Sequence, residues 1–143
     1  MRTYPGYLTI EMIRKEVQDE TPGDNSIDCD LFFSDEKILQ AMDRCAADYN
    51  GMSPLGVDII SPDALPSNTS VFMNGVLYHM YESAINKLAR NILTWQTGNT
   101  TVDLENTRMK AFDALKQYYK ESFVQGAKER KMAINRSMAW SYM

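Results

Sequence analysis

The chain has 143 residues, 44% of them apolar and 24% charged, with a formal net charge of −4 and one histidine. That length suits one domain able to bury about two thirds of its unfolded surface, and the acidic balance excludes broad nucleic-acid binding, which needs a basic field against phosphate. Cys29 and Cys45, sixteen positions apart, with no second histidine, exclude a C-x-x-C motif or a four-ligand zinc site.

Thr9 is placed to cap a first short helix whose apolar positions Ile10, Ile13 and Val17 recur at helical spacing, and Thr21-Pro22-Gly23 stops it. A polar loop with Asp24, Asn25, Ser26, Asp28 and Asp30 follows, closed by Leu31-Phe32-Phe33 as an apolar anchor or short strand. Ser34 starts a second helix with Asp35 and Glu36 in its first turn. Ile38, Met42, Cys45 and Tyr49 step along one face to a stop at Asn50-Gly51. The segment from Gly51 to Asn68 holds Pro54, Gly56, Pro62 and Pro66 and reads as a long loop packed on the helices by Ile59 and Ile60.

A third helix is expected from Ser67 or Asn68 to Gln96, with Leu77, Met80 or Tyr81, Ala84, Ile85, Leu88, Ile92 and Trp95 on its apolar face. Asp103 is placed to cap a fourth, carrying Leu104, Ala111, Phe112, Leu115, Tyr119 and Phe123, and the short link between the two makes them antiparallel. Their facing apolar series, Ile85, Leu88 and Ile92 against Phe112, Leu115 and Tyr119, is the expected core. Gly126 weakens the fourth helix near its end. The fold class is therefore all-α, a helical bundle of two long antiparallel helices and two shorter ones, with long loops and an extended C-terminal arm. The organisation is a helical body over residues 1–127 and an interaction arm over 128–143.

Chemistry is sparse. His79 has Val76, Ser83 and Gly75 at helical neighbour positions, which offer no metal ligand, and Glu82 alone is insufficient, so a structural or surface histidine is expected. The acidic loop lacks the glycine and terminal glutamate offsets of a calcium loop. No phosphate-binding glycine loop, G-x-S-x-G or cysteine-nucleophile signature occurs. The reading is of a non-enzyme with no cofactor and no metal. The chain shows no signal-like or membrane-length apolar run, so synthesis in a reducing cytoplasm is expected and its sequons are read as chance matches.

The last sixteen residues stand apart. Lys128, Arg130, Lys131 and Arg136 face one anion, Glu129, giving the segment about +3 and leaving the preceding residues about −7. Beyond Gly126 the apolar residues Met132, Ile134, Met138, Trp140 and Tyr142 largely alternate, the pattern of an extended segment. Trp140 and Tyr142 have the composition of interface anchors, with Arg130, Lys131 and Arg136 steering them to an acidic surface. Folding of this segment back on its own body is the alternative.

Taken in order, the short first helix, the segment Phe33-Ser-Asp-Glu-Lys-Ile-Leu-Gln-Ala-Met-Asp-Arg-Cys-Ala-Ala-Asp-Tyr-Asn50, the proline-rich loop, the two long helices and the projecting tail resemble the head-to-tail adaptor (connector) proteins of tailed bacteriophages. The resemblance covers nearly the whole chain. It implies a structural virion protein at the head-tail interface, assembling with neighbouring copies as a homo-oligomeric ring, usually a dodecamer. Its C-terminal arm would reach into the portal protein, its loops would meet the downstream tail or stopper protein, and DNA would pass through without specific binding and without a membrane. The acidic insertion from Asp24 to Asp30 and the long loop from Gly51 to Pro66 do not map onto that pattern. A different class of function, a non-viral helical interaction or scaffold module that docks its C-terminal peptide in a partner's groove, fits the same tail.

Overall fold

The computed structural model describes residues 6–21, 32–92 and 99–141, and it is all-helical in architecture. Helix α1 spans Ile10–Val17, α2 Asp35–Asn50, α3 Ser70–Ile92 and α4 Asn99–Ser141, with a 3-10 turn at Pro62–Ala64. The polar loop from Asp24 to Asp30, Cys29, Leu31, Trp95 and Tyr142 lie outside the described residues.

Local chemistry sets the first two helices. The Thr9 hydroxyl accepts from the Met12 N–H, and α1 ends with Gln18 in the left-handed region. The Ser34 hydroxyl accepts from the Lys37 N–H, and α2 ends at Gly51, whose N–H donates to the Ala47 carbonyl at 3.0 Å while the next amide, Met52 N–H, donates to the Tyr49 carbonyl at 3.2 Å. Each hydroxyl satisfies one of the amides a helix start leaves unpaired. Arg14 then joins the two helices. It donates to the Asp19 carboxylate at 3.2 Å and to Asp35 at 2.5 Å, while Asp19 also accepts the N–H groups of Phe32 and Phe33 at 2.9 Å. Phe32 and Phe33 are thus an anchor rather than a strand, held by one buried carboxylate.

Helix α3 is the central element, packing against both α2 and α4. Val71 lies against Gly126, Gly75 against Phe123, and Tyr81 against Tyr119 and Phe112, so α3 and α4 run antiparallel. Among the described residues the core gathers Ile13, Ile38, Cys45, Tyr49, Leu65, Phe72, Val76, Leu77 and Met80, with Phe123 and Ala127 contributed by α4. The described core therefore fills the α2–α3 seam as well as the expected α3–α4 pair. Leu88 is buried and Phe112 and Tyr119 pack at the edge, but Leu115 is 37% exposed. At about 100° per residue, Phe112, Lys116, Tyr119, Phe123, Ala127 and Lys131 form the inward stripe, and Leu115 sits on its flank.

Two glycines set the helix spacing. A Cβ at Gly75 would come within 2.5 Å of Cys45 Sγ and 2.8 Å of the Phe123 ring, so α2, α3 and α4 meet there only because that atom is missing. At Gly126 a Cβ would meet Val71 Cγ2 at 2.8 Å. This glycine, expected to weaken α4, lies inside a continuous helix and permits its close approach to α3. The start of α4 at Asn99 also precedes the expected cap at Asp103.

The long loop is pinned by polar contacts and by one of its two isoleucines, Ile60, which packs against the core. Asn50 and the Ile60 backbone exchange two hydrogen bonds of 2.9 and 2.8 Å, Leu65 is fully buried, and Ile59 is 71% exposed. The N-terminal segment bridges to the far end of the loop at Tyr7 and Pro66, with the Leu8 N–H donating to the Leu65 carbonyl at 2.7 Å.

Candidate functional site

The extended arm expected at residues 128–143 is a helix through Ser141. Lys, Glu, Arg, Met and Ala, all good helix formers, dominate the segment, and no proline or glycine follows Gly126. With 43 residues, α4 is about 65 Å long against about 35 Å for the 23 residues of α3. Since Gly126 lies beside Val71, one residue from the start of α3, the rest of α4 runs past the end of its neighbour.

The first turn beyond that point returns to the body. Lys131 is fully buried; its Nζ donates to the Met52 carbonyl at 2.8 Å and stands 4.7 Å from the centre of the Tyr49 ring. Arg130 Nε donates to Asp58 Oδ2 at 2.7 Å, its guanidinium lies over the Phe72 ring, and the same Asp58 oxygen accepts from the Tyr49 hydroxyl. Asp58 itself has a φ of 53°, a left-handed conformation that Asp and Asn tolerate better than most residues.

The electrostatics follow from these contacts. Burial works against the Asp58 carboxylate, but the hydrogen bonds from Arg130 and Tyr49 and the charges of Arg130 and Lys131 outweigh it and hold its pKa below the usual value. Burial, then the bond to Asp58, pushes the Tyr49 phenol up, and burial pulls the Lys131 ammonium down. Arg130 and Lys131, expected to steer the arm toward a partner, are instead engaged with their own chain. A cation spaced four residues after Ala127 and eight after Phe123 continues the buried stripe, and that spacing was the available signal.

Past Lys131 the body ends. Every described residue from 132 to 141 is exposed except Ile134, which is half-buried. Helical geometry divides the alternating residues between two faces. Ile134 and Met138 prolong the stripe that Phe123, Ala127 and Lys131 bury upstream, while Met132, Arg136 and Trp140 stand on the opposite side. Met132 is 49%, Met138 48% and Trp140 75% exposed. Tyr142 lies outside the described residues.

Two other reactive residues are occupied structurally. His79 is buried, and its Nε2 lies 2.7 Å from Asp48 Oδ2, so an imidazole N–H donating to that carboxylate joins α3 to α2; Nδ1 is 3.5 Å from Glu82. Cys45 is a buried thiol whose pKa is pushed up to about 12 by burial and then by the Asp48 charge, the opposite of what a nucleophile needs. Among the described residues no group of three or more His, Cys, Asp and Glu side chains is placed to hold a metal ion, and no helix is long and apolar enough to cross a membrane. No family model, curated protein or solved structure matches the chain.

Proposed function

We propose that this chain is a structural head-to-tail adaptor of a tailed bacteriophage, a ring subunit seated between portal and tail that lets DNA pass without binding it specifically. The observation that carries the reading is the terminal stretch of α4. Ten residues, about 15 Å of helix, extend past Lys131, with Met138 and Trp140 presented to solvent. A closed ring built from heterologous contacts needs an element of each subunit that leaves its own core and enters another. The element order, a short helix, a capped second helix, a loop and two long antiparallel helices, is the one on which the resemblance rests. The non-viral interaction module remains the competing reading, because an exposed helix with spaced apolar anchors also fits a partner's groove.

The two readings part on assembly. Co-sedimentation of the full chain with an assembled portal ring, followed by negative-stain imaging, is expected to show a second ring of subunits on the portal. Trp140→Ala is expected to weaken attachment by about 2 kcal/mol or more, the cost of truncating a buried aromatic anchor, while its circular dichroism stays unchanged. A chain that never attaches to a portal and stays monomeric or dimeric would refute the adaptor reading.

A further inference from the structure

We propose that the cleft between α2 and α3 is a binding site for a small polyphosphate anion. The cleft has a volume of about 600 Å³ and is lined by Lys37, Gln40 and Arg44 of α2 and by Ser83, Asn86 and Lys87 of α3. Its described lining holds three cations and no carboxylate, in a chain whose net charge is −4. None of the ion pairs among the described residues uses Lys37, Arg44 or Lys87. The nearby carboxylates are engaged elsewhere or stand outside the lining. Asp35 is held by Arg14, Asp48 and Glu82 are directed at His79, which is itself part of the lining, and Glu36 and Asp43 are exposed on other parts of α2.

The spacing selects the ligand class. Lys37 and Arg44 are seven residues apart on one helix, about 10 Å along its axis, and Lys87 faces them from the other wall. A single phosphate meets one or two of these cations, whereas a chain of two or three phosphates spans them all. Arg44 offers a planar fork to phosphate oxygens, the lysines offer point charges, and Gln40, Asn86 and Ser83 add neutral donors. Buried Phe33, Ala41 and Ala84 form part of the wall, and such low-dielectric walls focus the field of the three cations into the concavity. An anion relieves their mutual repulsion. Lys87 is already held near the cleft by the Phe32 ring, 5.6 Å away, and the guanidinium of Arg108 lies 5.1 Å from the same ring. With those cations against Phe32, that ring is a poor stacking platform for a nucleobase, so the phosphate chain itself is the recognised group.

Isothermal titration calorimetry of the full chain in magnesium-free buffer tests this, with inorganic tripolyphosphate, ATP and orthophosphate as probes. One saturable site is expected, with similar affinity for tripolyphosphate and ATP and weaker binding of orthophosphate. Tighter binding of ATP would still support the site and would assign it to nucleotides. Arg44→Glu and Lys87→Glu are each expected to weaken tripolyphosphate binding about tenfold or more, as loss of a charge-assisted contact does, while Lys128→Glu, an exposed cation on α4, leaves it unchanged. Lys87→Gln, an exposed and mild change, serves if a reversal fails to fold. The absence of saturable binding, or equal weakening by the Lys128 control, would overturn the proposal.

Discussion

Replacing Asp58 with Asn removes one negative charge from the junction between the loop and α4 while keeping a residue that tolerates the local φ of 53°. The carboxylate is 14% exposed and its partner Arg130 24%, and Lys131 beside them is fully buried. Removing one member of a buried pair costs about 3 to 5 kcal/mol, because the remaining charge stays desolvated. Arg130 keeps some contact with water and Lys131 keeps its bond to the Met52 carbonyl, so the loss falls below that range, at about 2 to 3 kcal/mol. The pH dependence has a definite sign. The folded-state pKa of Asp58 lies below its ordinary value, so its contribution is fully present above the unfolded value of about 3.9. It is then lost as pH falls through the lower folded value. Urea unfolding of both proteins at pH 7, 5 and 3 is the assay. The gap between wild type and Asp58→Asn is expected to be constant from pH 7 to 5 and to shrink below about 4. A gap at pH 7 under about 0.5 kcal/mol, the scale of an exposed ion pair, would refute the reasoning; so would one unchanged at pH 3.

Leu115→Ala is expected to cost less than about 1.5 kcal/mol in denaturant unfolding, because the side chain is 37% exposed, whereas fully buried Phe123→Ala should cost about 3 to 5. Gly75→Ala gains about 1 kcal/mol of helix propensity but forces a Cβ into Cys45 and Phe123, an overlap costing about 1 to 3 or more. A net loss of stability is expected, larger than for Gly126→Ala, where only Val71 must yield; thermal unfolding of both checks the order. Cys45, with its pKa raised to about 12, should resist an aromatic disulfide reagent at pH 8 in the native state and react promptly in denaturant, with the Cys29→Ser background isolating its signal.

What the sequence disclosed was the information carried by near neighbours. Thr9 and Ser34 cap their helices within three residues, Asn50-Gly51 ends α2, and the antiparallel pairing of α3 and α4 follows from a short link. What it hid depends on distant partners. Asp58 and Arg130 are 72 positions apart, and although its spacing from Phe123 and Ala127 puts Lys131 on the inward stripe, nothing near it in the chain names the loop as its cover. Charge suggested a surface residue, yet its long aliphatic stem fills an inward position while its ammonium finds a carbonyl. Leu115 shows the reverse, an apolar residue at plausible spacing that lies beside the seam rather than in it. The alternating tail pattern matched a strand period over too few residues to outweigh helix propensity and the continuity of the ladder from Phe123 onward.

The helical form of the tail alters what the arm can do. An extended segment with alternating apolar residues would present Met132, Ile134, Met138 and Trp140 to a single surface. As a helix it carries Ile134 and Met138 on one side and Met132 and Trp140 on the other, with Arg136 between the latter two. The first side continues the stripe that packs on the chain's own body, so under the proposed adaptor reading a neighbouring copy or portal wall that covers it needs only to prolong an existing helix seam. The second side has no upstream counterpart, since its preceding positions, Gln125 and Glu129, are polar and hydrogen-bonded to each other at the surface. A single arm can therefore contact two different surfaces at once, which the proposed adaptor role would require of a chain gripping both a neighbour and a portal. The faces are separable by experiment: if one partner covers both, Met138→Ala and Trp140→Ala should weaken the same contact, whereas two partners would each respond to only one substitution.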